Sequence, residues 1–424
     1  MKVAVIGTGI AGNVAAYKLR EQHDITVFEA APYIGGHSNT VDVYEQGRRL
    51  AIDTGFIVFN ERMYPEFTTL LADIGQQSQR SDMSFSVQSE GGALEYNGRS
   101  LDALFAQRSN LLRPRFYRMI SDILRFNRNT KRQLEMLPPD LTLGDYLMAN
   151  HYSQQFIEHY LVPMVAAIWS AEPVRALDMP AGFLVRFFAN HGLMQLRDRP
   201  SWRVVKGGSR TYVDKLVAQH RDRIHLNSPV RVLRRTAAGI ELRAGSAAPA
   251  IFDAVFLACH SDQALRMLVE PTSAESEVLG AIRYQPNEAI LHTDVKMMPA
   301  RRKAWAAWNY HIPQDPTRHV AVTYNMNILQ GIEAAQQYCV TLNNDRSIDP
   351  GRVIRRISYE HPVFNQQAVC AQQRQQELNR DRLFFCGAYW GNGFHEDGVV
   401  SALAAVRHFE EWQRHAELHI RRAG

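Results

Sequence analysis

Three glycines, Gly7, Gly9 and Gly12, stand near the start of the chain, and a carboxylate, Glu29, follows Gly7 by twenty-two residues. Residues of these types at this spacing suit the binding of a dinucleotide. Gly7 permits a tight turn, Gly9 lets the backbone come close to a pyrophosphate, and Gly12 lets a helix pack closely on the strand before it. Ile10 and Ala11 stand at the N-terminus of that helix, where free N–H groups and the positive end of the dipole attract phosphate. Glu29, followed by Ala30, is placed to accept hydrogen bonds from a ribose diol.

A second glycine-rich set lies far away, in Gly387-Ala388-Tyr389-Trp390-Gly391-Asn392-Gly393-Phe394-His395-Glu396-Asp397-Gly398. A strand from Leu383 ends at Gly387, and Val399, Ala402, Leu403, Val406 and Phe409 mark a helix beginning after Glu396-Asp397, so strand, loop and helix N-terminus again make an anion site. Between the two sets, Gly35-Gly36-His37 allows another close approach of backbone to ligand, and Asp53-Thr54-Gly55-Phe56 follows a hairpin. No Ser-His-Asp set, metal-ligand cluster or paired-carboxylate motif is evident. The four cysteines lack CxxC spacing, which suggests neither zinc nor a disulfide framework. The hard chemistry therefore belongs to a bound cofactor, with the protein supplying placement and electrostatics.

The elements that must position these groups follow from the apolar pattern. Lys2 to Ile6 reads as a strand buried on both faces, Ala11 to Leu19 as a helix with Ala15, Ala16 and Leu19 inward, and Ile25 to Phe28 as a second strand. Val41 to Asp53 reads as a hairpin turning near Gln46-Gly47, and residues 58 to 198 as mostly helical. Trp202 returns the chain to the first domain, with a helix over Tyr212 to Ala218, a strand over Ile224 to Leu233 and a buried strand over Asp253 to Ala258. Trp305 to His311 and Val320 to Asn327 alternate as half-buried strands do. The expected class is α/β: a Rossmann-like domain of residues 1–57, 199–264 and 376–424, with an inserted mixed α+β substrate domain of residues 58–198 and 265–375.

Composition narrows the setting. The chain has 424 residues, 46% hydrophobic and 21% charged, as soluble globular proteins do. A net charge of +5 is too mild to imply nucleic acid. Tyr160 to Ala171 and Leu383 to Phe394, the longest uncharged apolar stretches, fall short of the roughly 20 residues that span a bilayer, and the N-terminus reads as a core strand, without the marks of a leader. A cytoplasmic location is expected. Phe105 to Arg132 carries eight basic residues against the single acid Asp122, with Phe116, Met119, Ile120, Ile123 and Asn127 on one helical face. Such a helix lies on an anionic membrane, at the inner face, or packs on the core with a solvated basic face; periodicity does not separate the two. Tyr160 to Ser170 is either the wall of a substrate tunnel or domain core, and Phe187 to Met194, with Asn190 and His191, has the mixed lining of a ligand pocket.

The order of the glycine fingerprint, Glu29, Gly35-Gly36-His37 and Asp53-Thr54-Gly55 resembles the FAD-binding fold shared by flavin amine oxidases, protoporphyrinogen oxidases and carotenoid desaturases. The resemblance implies FAD as cofactor, with Gly36, His37, Thr54, Gly55 and Phe56 near the flavin and Val230 at the adenine. It also implies contacts from Gly387, Ala388, Phe394, His395 and Glu396, although Ala388 stands where the family usually has an acid. The Gly387–Gly398 segment, with Asp53-Thr-Gly-Phe56, Ile168-Trp169-Ser170, Asn190-His-Gly-Leu193 and Cys259-His-Ser-Asp262, is similar to a narrower group. These are FAD-dependent proteins related to the N-terminal extension of plant cyclopropane fatty acid synthases. Their bacterial members are often encoded beside lipid methyltransferases, and some are linked to methyl-branched and furan fatty acids.

That resemblance implies a flavin desaturase acting on the methylated, unsaturated acyl chain of a phospholipid, with His395 and His37 as base or electrostatic partners. Trp390, Phe394, Trp169 and His191 are the expected substrate contacts. The alternatives are a flavin amine oxidase, in which Phe394 and Trp390 wall the amine, and a flavin-bearing accessory subunit that holds a lipid methyltransferase at the membrane.

Overall fold

The computed structural model describes residues 1–133, 136–169, 173–195, 200–312 and 321–423. Ser170, Ala171, Val320 and the expected boundary between residues 198 and 199 lie outside the described residues.

The chain opens with β1 (Lys2–Ile6), α1 (Ile10–Leu19) and β2 (Asp24–Phe28), then the antiparallel hairpin β3 (Thr40–Glu45) and β4 (Arg48–Asp53). Gln46 and Gly47 turn that hairpin at φ 50° and 77°, the two left-handed residues that suit a tight two-residue turn. Residues 58 to 169 then supply β5 (Val58–Asn60), α2 (Pro65–Asp73), β6 (Ser78–Arg80), β7 (Phe85–Ser89), β8 (Glu95–Asn97), α3 (Leu101–Leu104), α4 (Pro114–Gln133), α5 (Leu143–Ala149) and α6 (Val162–Trp169). After α7 (Ala181–Asn190) come β9 (Trp202–Val205), α8 (Arg210–Val217), β10 (Ile224–His225), the antiparallel trio β11 (Val230–Thr236), β12 (Gly239–Ala244) and β13 (Ala250–Phe252), and β14 (Ala254–Leu257). The last part contributes β15 (Arg283–His292), β16 (Trp308–Ile312), β17 (Ala321–Asn325), β18 (Cys339–Leu342), β19 (Val353–Val363), β20 (Leu383–Phe385) and the long α9 (His395–Ala423).

One sheet is parallel, in the order β10-β2-β1-β14-β20. Its central strands have no solvent-facing side, which is why β1 and β14 are runs of apolar residues without alternation. Ala11, Val14 and Ala15 of α1 and Val399, Ala402 and Phe409 of α9 share one core with it. A seven-stranded sheet, β19-β15-β18-β17-β16-β7-β8, stands apart from it.

Three expectations about elements are refined. The stretch 58–198 is mostly helical, as its pattern reads, yet it also donates β7 and β8 to the seven-stranded sheet and β5 and β6 to a small sheet around β9. Three of these strands, β5, β6 and β8, have only three residues, too few for alternation to show, and β5 and β6 form because distant β9 completes them, as Arg203 does opposite Phe59. The strand expected over Ile224 to Leu233 is two strands in different sheets. The chain turns between them at Asn227, φ 53°, just before Pro229. Finally, the buried strand over Asp253 to Ala258, which by the resemblance would close the sheet, is β14 inside it, and β20 closes the edge.

Helix α4 resolves half of its ambiguity. Phe116, Met119, Phe126 and Thr130 are buried, so one face packs on the core. Asp122, also buried, pairs with Arg125 at 3.0 Å and Arg118 at 3.5 Å, and accepts the Ser153 N–H at 3.0 Å. Arg125 also donates to the carbonyls of Asn150 and His151 and lies 4.1 Å from the Tyr152 ring centre. It is a brace of the fold, and Arg125→Glu is expected to lower stability by roughly 3 kcal/mol, because it strands a buried carboxylate beside a new one. A thermal melt within 1 °C of wild type would contradict this.

Candidate functional site

The C-terminal ends of β1, β2, β14 and β20 point into one cavity of about 400 Å³, which continues between them and β16, β17 and β19 of the large sheet. At its inner end Gly7 turns at φ +100°, its N–H donating to the Phe28 carbonyl at 2.8 Å. A Cβ on Gly12 would sit 1.9 Å from the Gly7 carbonyl oxygen, so helix and strand touch through backbone alone. A Cβ on Gly9 would meet nothing within 4 Å and would stand in open space where Gly9 lines the cavity. The residue also caps α1 without a side chain, leaving the helix's first N–H groups to whatever the cavity holds.

Glu29 lines the same end. Its carboxylate accepts from the Thr8 N–H at 2.8 Å, the Thr8 hydroxyl at 2.6 Å and the Ala31 N–H at 2.8 Å, which hold it rigidly with lone pairs to spare. Gly36, at φ +57°, approaches Gly9 so closely that its Cβ would lie 3.2 Å from the Gly9 Cα. His37 stacks on Tyr359 at 4.5 Å, and its buried Nε2 has no hydrogen-bond partner among the described residues. A glycine cradle, two helix starts (α1 and α9), a fixed carboxylate and an orphaned buried imidazole nitrogen together fit FAD.

His395, the first residue of α9, lies at the cavity wall. Its Nε2 is 2.8 Å from the Tyr212 hydroxyl and 3.0 Å from the Ser38 hydroxyl, and its ring stacks on Phe56 at 3.5 Å. Burial lowers its pKa to about 3, so the ring is neutral at ordinary pH. It is locked in place by three neighbours and holds the loop that carries it, which makes it a positioning residue and a poor general base. His37 is held well below the usual histidine range, first by burial and then by the neighbouring His361, His260 and His395. Neither histidine is tuned to take up a proton near neutrality. Asp53 braces the floor, accepting from Thr40, from Ser209 at both its N–H and its hydroxyl, and from Gln330; burial raises its pKa to about 6.

Most of the expected residues meet here. Gly7, Gly9, Ile10, Ala11, Glu29, Gly36, His37, Gly55 and Phe56 line the cavity from the N-terminal side, and Gly387, Ala388, Phe394 and His395 from the C-terminal side, with Trp169 beside them. The Trp169 indole N–H donates to the Asn392 carbonyl at 3.0 Å and ties α6 to that loop. Gly12 and Gly35 serve the backbone packing behind the cavity.

Six of the expected residues do not line this cavity. Ala30 is exposed to solvent, outside the lining. The Thr54 hydroxyl turns away to the Asn39 carbonyl and the Tyr359 hydroxyl. Val230 packs in the core beneath the three-stranded sheet. Glu396 accepts the Glu66 and Phe67 N–H groups at 3.0 and 2.9 Å, capping α2 instead of a cofactor. Trp390 is buried in one core cluster with Leu383, Phe385 and Tyr389, its ring centre 5.1 Å from that of Tyr389, and of the two only Tyr389 lines the cavity. His191 lies behind the wall, stacked on Phe187 at 3.8 Å, and of the 187–194 run Phe187 and Phe188 are core of the helical layer while Asn190 is exposed. Tyr160 to Trp169 is both core and wall: only Ile168 and Trp169 reach the cavity.

Sequence reasoning missed Ser38 and Tyr212, which hold His395, and the outer lining of Ile57, Val58, Tyr64, Trp308, Tyr324 and Phe364. It also missed His260, Glu360 and His361, where His260 Nδ1 lies 3.3 Å from Glu360. The Cys259-His260 turn after a buried strand was a usable signal, since ligands gather beyond the carboxyl ends of such strands.

Residues 10–320 match the family described as flavin containing amine oxidoreductase. The chain belongs to that family. It is accordingly an FAD-dependent oxidoreductase, with the Rossmann-like FAD fold and inserted α+β substrate region of that family. Similar solved structures include cyclohexylamine oxidase from Brevibacterium oxydans IH-35A, at 16% identity and a TM-score of 0.68 over 97% of this chain and 99% of that one. A protoporphyrinogen oxidase candidate from Exiguobacterium sp. 255-15 and a CLA-producing fatty acid isomerase from P. acnes each give 16% identity and a TM-score of 0.66 over 96% and 98%. These likenesses concern the fold. None of the curated proteins matches the sequence.

Proposed function

We propose that this oxidoreductase dehydrogenates a largely apolar substrate, and that the first candidate is the acyl chain of a lipid, methylated or not. The supporting observation is the outer lining: Ile57, Val58, Ile168, Trp169, Trp308, Tyr324, Phe364 and Phe394 leave few polar groups to orient a small hydrophilic molecule. FAD, when bound, would supply the two-electron acceptor for a hydride, and the proton lost with it would pass to water. The chain's own residues then have three tasks. The start of α1 and the Gly36 loop bind the phosphates, the neutral His395 with Ser38 and Tyr212 fixes the start of α9, and the aromatic wall excludes water from the reacting carbon. The fatty acid isomerase of P. acnes lends the reading a precedent for this fold. On this proposal a lipid methyltransferase would act immediately upstream.

An amine is the second reading, and the comparisons favour it over the acyl chain: the family carries amine oxidoreductase in its description, and putrescine oxidase and cyclohexylamine oxidase share the fold. Glu360 is its structural support, the carboxylate at the outer part of the cavity able to attract a cationic substrate. The purified yellow protein, mixed anaerobically with phospholipids or amines, decides between them. Bleaching of the flavin band by phospholipid carrying unsaturated or methylated chains, and not by amines, is the expected result. Bleaching by amines alone would sink the acyl reading, and bleaching by neither would make the protein a flavin-bearing accessory.

A further inference from the structure

We infer that the outward face of α3, α4 and the turn between them docks on an anionic lipid bilayer. Fourteen large apolar residues are exposed on the described protein, and seven of them fall between residues 101 and 148, among them Leu101, Leu111, Leu112, Tyr117, Leu124 and Met148. Leu112 is 87% exposed and Leu101 78%, far beyond what incidental surface leucines show when their flanks are packed. Local contacts make them neighbours. The Tyr117 hydroxyl donates to the Leu111 carbonyl at 3.0 Å, Arg108 pairs with Asp102 beside Leu101, and Arg125, next to Leu124, holds the carbonyls that end α5, two residues beyond Met148.

Charge says what covers this face. Arg115, Arg128 and Arg132 are exposed and form no ion pair among the described residues. The two acids of residues 101–133, Asp102 and Asp122, are already paired with cations. Leucines and a tyrosine interleaved with unpaired arginines match the boundary between acyl chains and anionic headgroups, where each side chain finds its own medium. A second copy of the chain would set these arginines against each other across a symmetric contact. No helix among the described residues is long and apolar enough to cross a membrane, so the docking is peripheral. Helix α4 packs on the helical turn of residues 157–161, which runs directly into α6 and its cavity residues Ile168 and Trp169. The docking face therefore lies one helical layer from the cavity, whichever substrate that cavity takes.

The test is co-sedimentation of the flavin-loaded protein with vesicles of phosphatidylglycerol and phosphatidylcholine, or of phosphatidylcholine alone. Binding to the first and not the second is expected, weakening as salt shortens the Debye length below about 8 Å. Leu112→Asp is expected to cut vesicle binding at least tenfold, and Arg115→Glu with Arg128→Glu by on the order of fivefold for each arginine lost. Leu112 packs on nothing, so its variant keeps the wild-type melting temperature and flavin content; should the arginine variants fold poorly, the salt titration of the wild type stands in for them. Absence of sedimentation with anionic vesicles, or binding unchanged by Leu112→Asp, overturns the inference. So does a dimer, seen by sedimentation velocity, that Leu112→Asp dissolves, since the face would then belong to a second copy.

Discussion

Gly9→Leu yields a folded protein that holds no flavin, whereas Gly12→Ala fails to fold. The two glycines are three residues apart in one motif, yet their surroundings differ completely. Gly9 sits at φ −62°, open to any residue, and its Cβ would face empty space at the cavity's inner end. A leucine there costs the fold little and fills the position a pyrophosphate must reach. Gly12 has the Gly7 carbonyl oxygen 1.9 Å and the Ala258 Cβ 3.1 Å from its would-be Cβ. Both neighbours directly follow strands of the central sheet, so nothing soft can yield, and the cost exceeds the roughly 3 kcal/mol typical of an overpacked core. Flavin absorbance per mole of protein and the thermal melt separate the outcomes. Flavin retained by Gly9→Leu would mean that the cofactor does not approach the start of α1.

Stability falls steeply as pH drops below about 6.5, the usual histidine pKa. Burial lowers His191, His292 and His361 to about 4 and His395 to about 3, and it holds His37 well below its ordinary value. Between these values and 6.5 the unfolded chain binds protons that the folded one refuses. The stabilisation is thus whole above pH 6.5 and is lost as pH falls toward 4, at roughly 1.4 kcal/mol per histidine per pH unit. Asp53 and Asp397, raised to about 6 by burial, work the other way between their unfolded value of 3.8 and pH 6, because the folded protein keeps their protons. Five histidines outweigh two carboxyls, and against a margin of about 5–15 kcal/mol the protein should unfold before pH 4. Melting temperatures measured from pH 8 to pH 4.5 test this. His292→Gln, remote from the cavity and bonded to Thr341, should shallow the slope, and a melting temperature constant from pH 6.5 to 5 would refute the account.

The parallel sheet and its inner site were legible because each part is local. Lys2 to Glu29 contains strand, turn, helix, strand and acid within one short segment, and glycine at Gly7 or Gly12 answers to backbone geometry that neighbours in the chain already impose. The helix start at His395 was legible for the same reason. The short strands β5, β6 and β8 were not, because three residues carry no period and their stability comes from partners more than a hundred residues away in two of the three cases.

Side-chain direction was the other hidden quantity. Trp390 and Tyr389 are adjacent and both aromatic, and only the closed turn decides which ring meets the cavity. Glu396 looks like a cofactor contact until α2 is brought beneath it with two N–H groups to satisfy.

By itself the sequence determined the dinucleotide cradle, the α/β class and the two ends of the chain that must meet, since glycine spacing and apolar period act over a few residues. The tertiary structure alone decided that Ser38, Tyr212 and His395 form one buried group, that β16, β17 and β19 wall the cavity, and that α3, α4 and the turn between them set leucines as well as arginines outward. Those outcomes depend on contacts between segments far apart in the chain, where burial and register, not local propensity, set which atoms face each other.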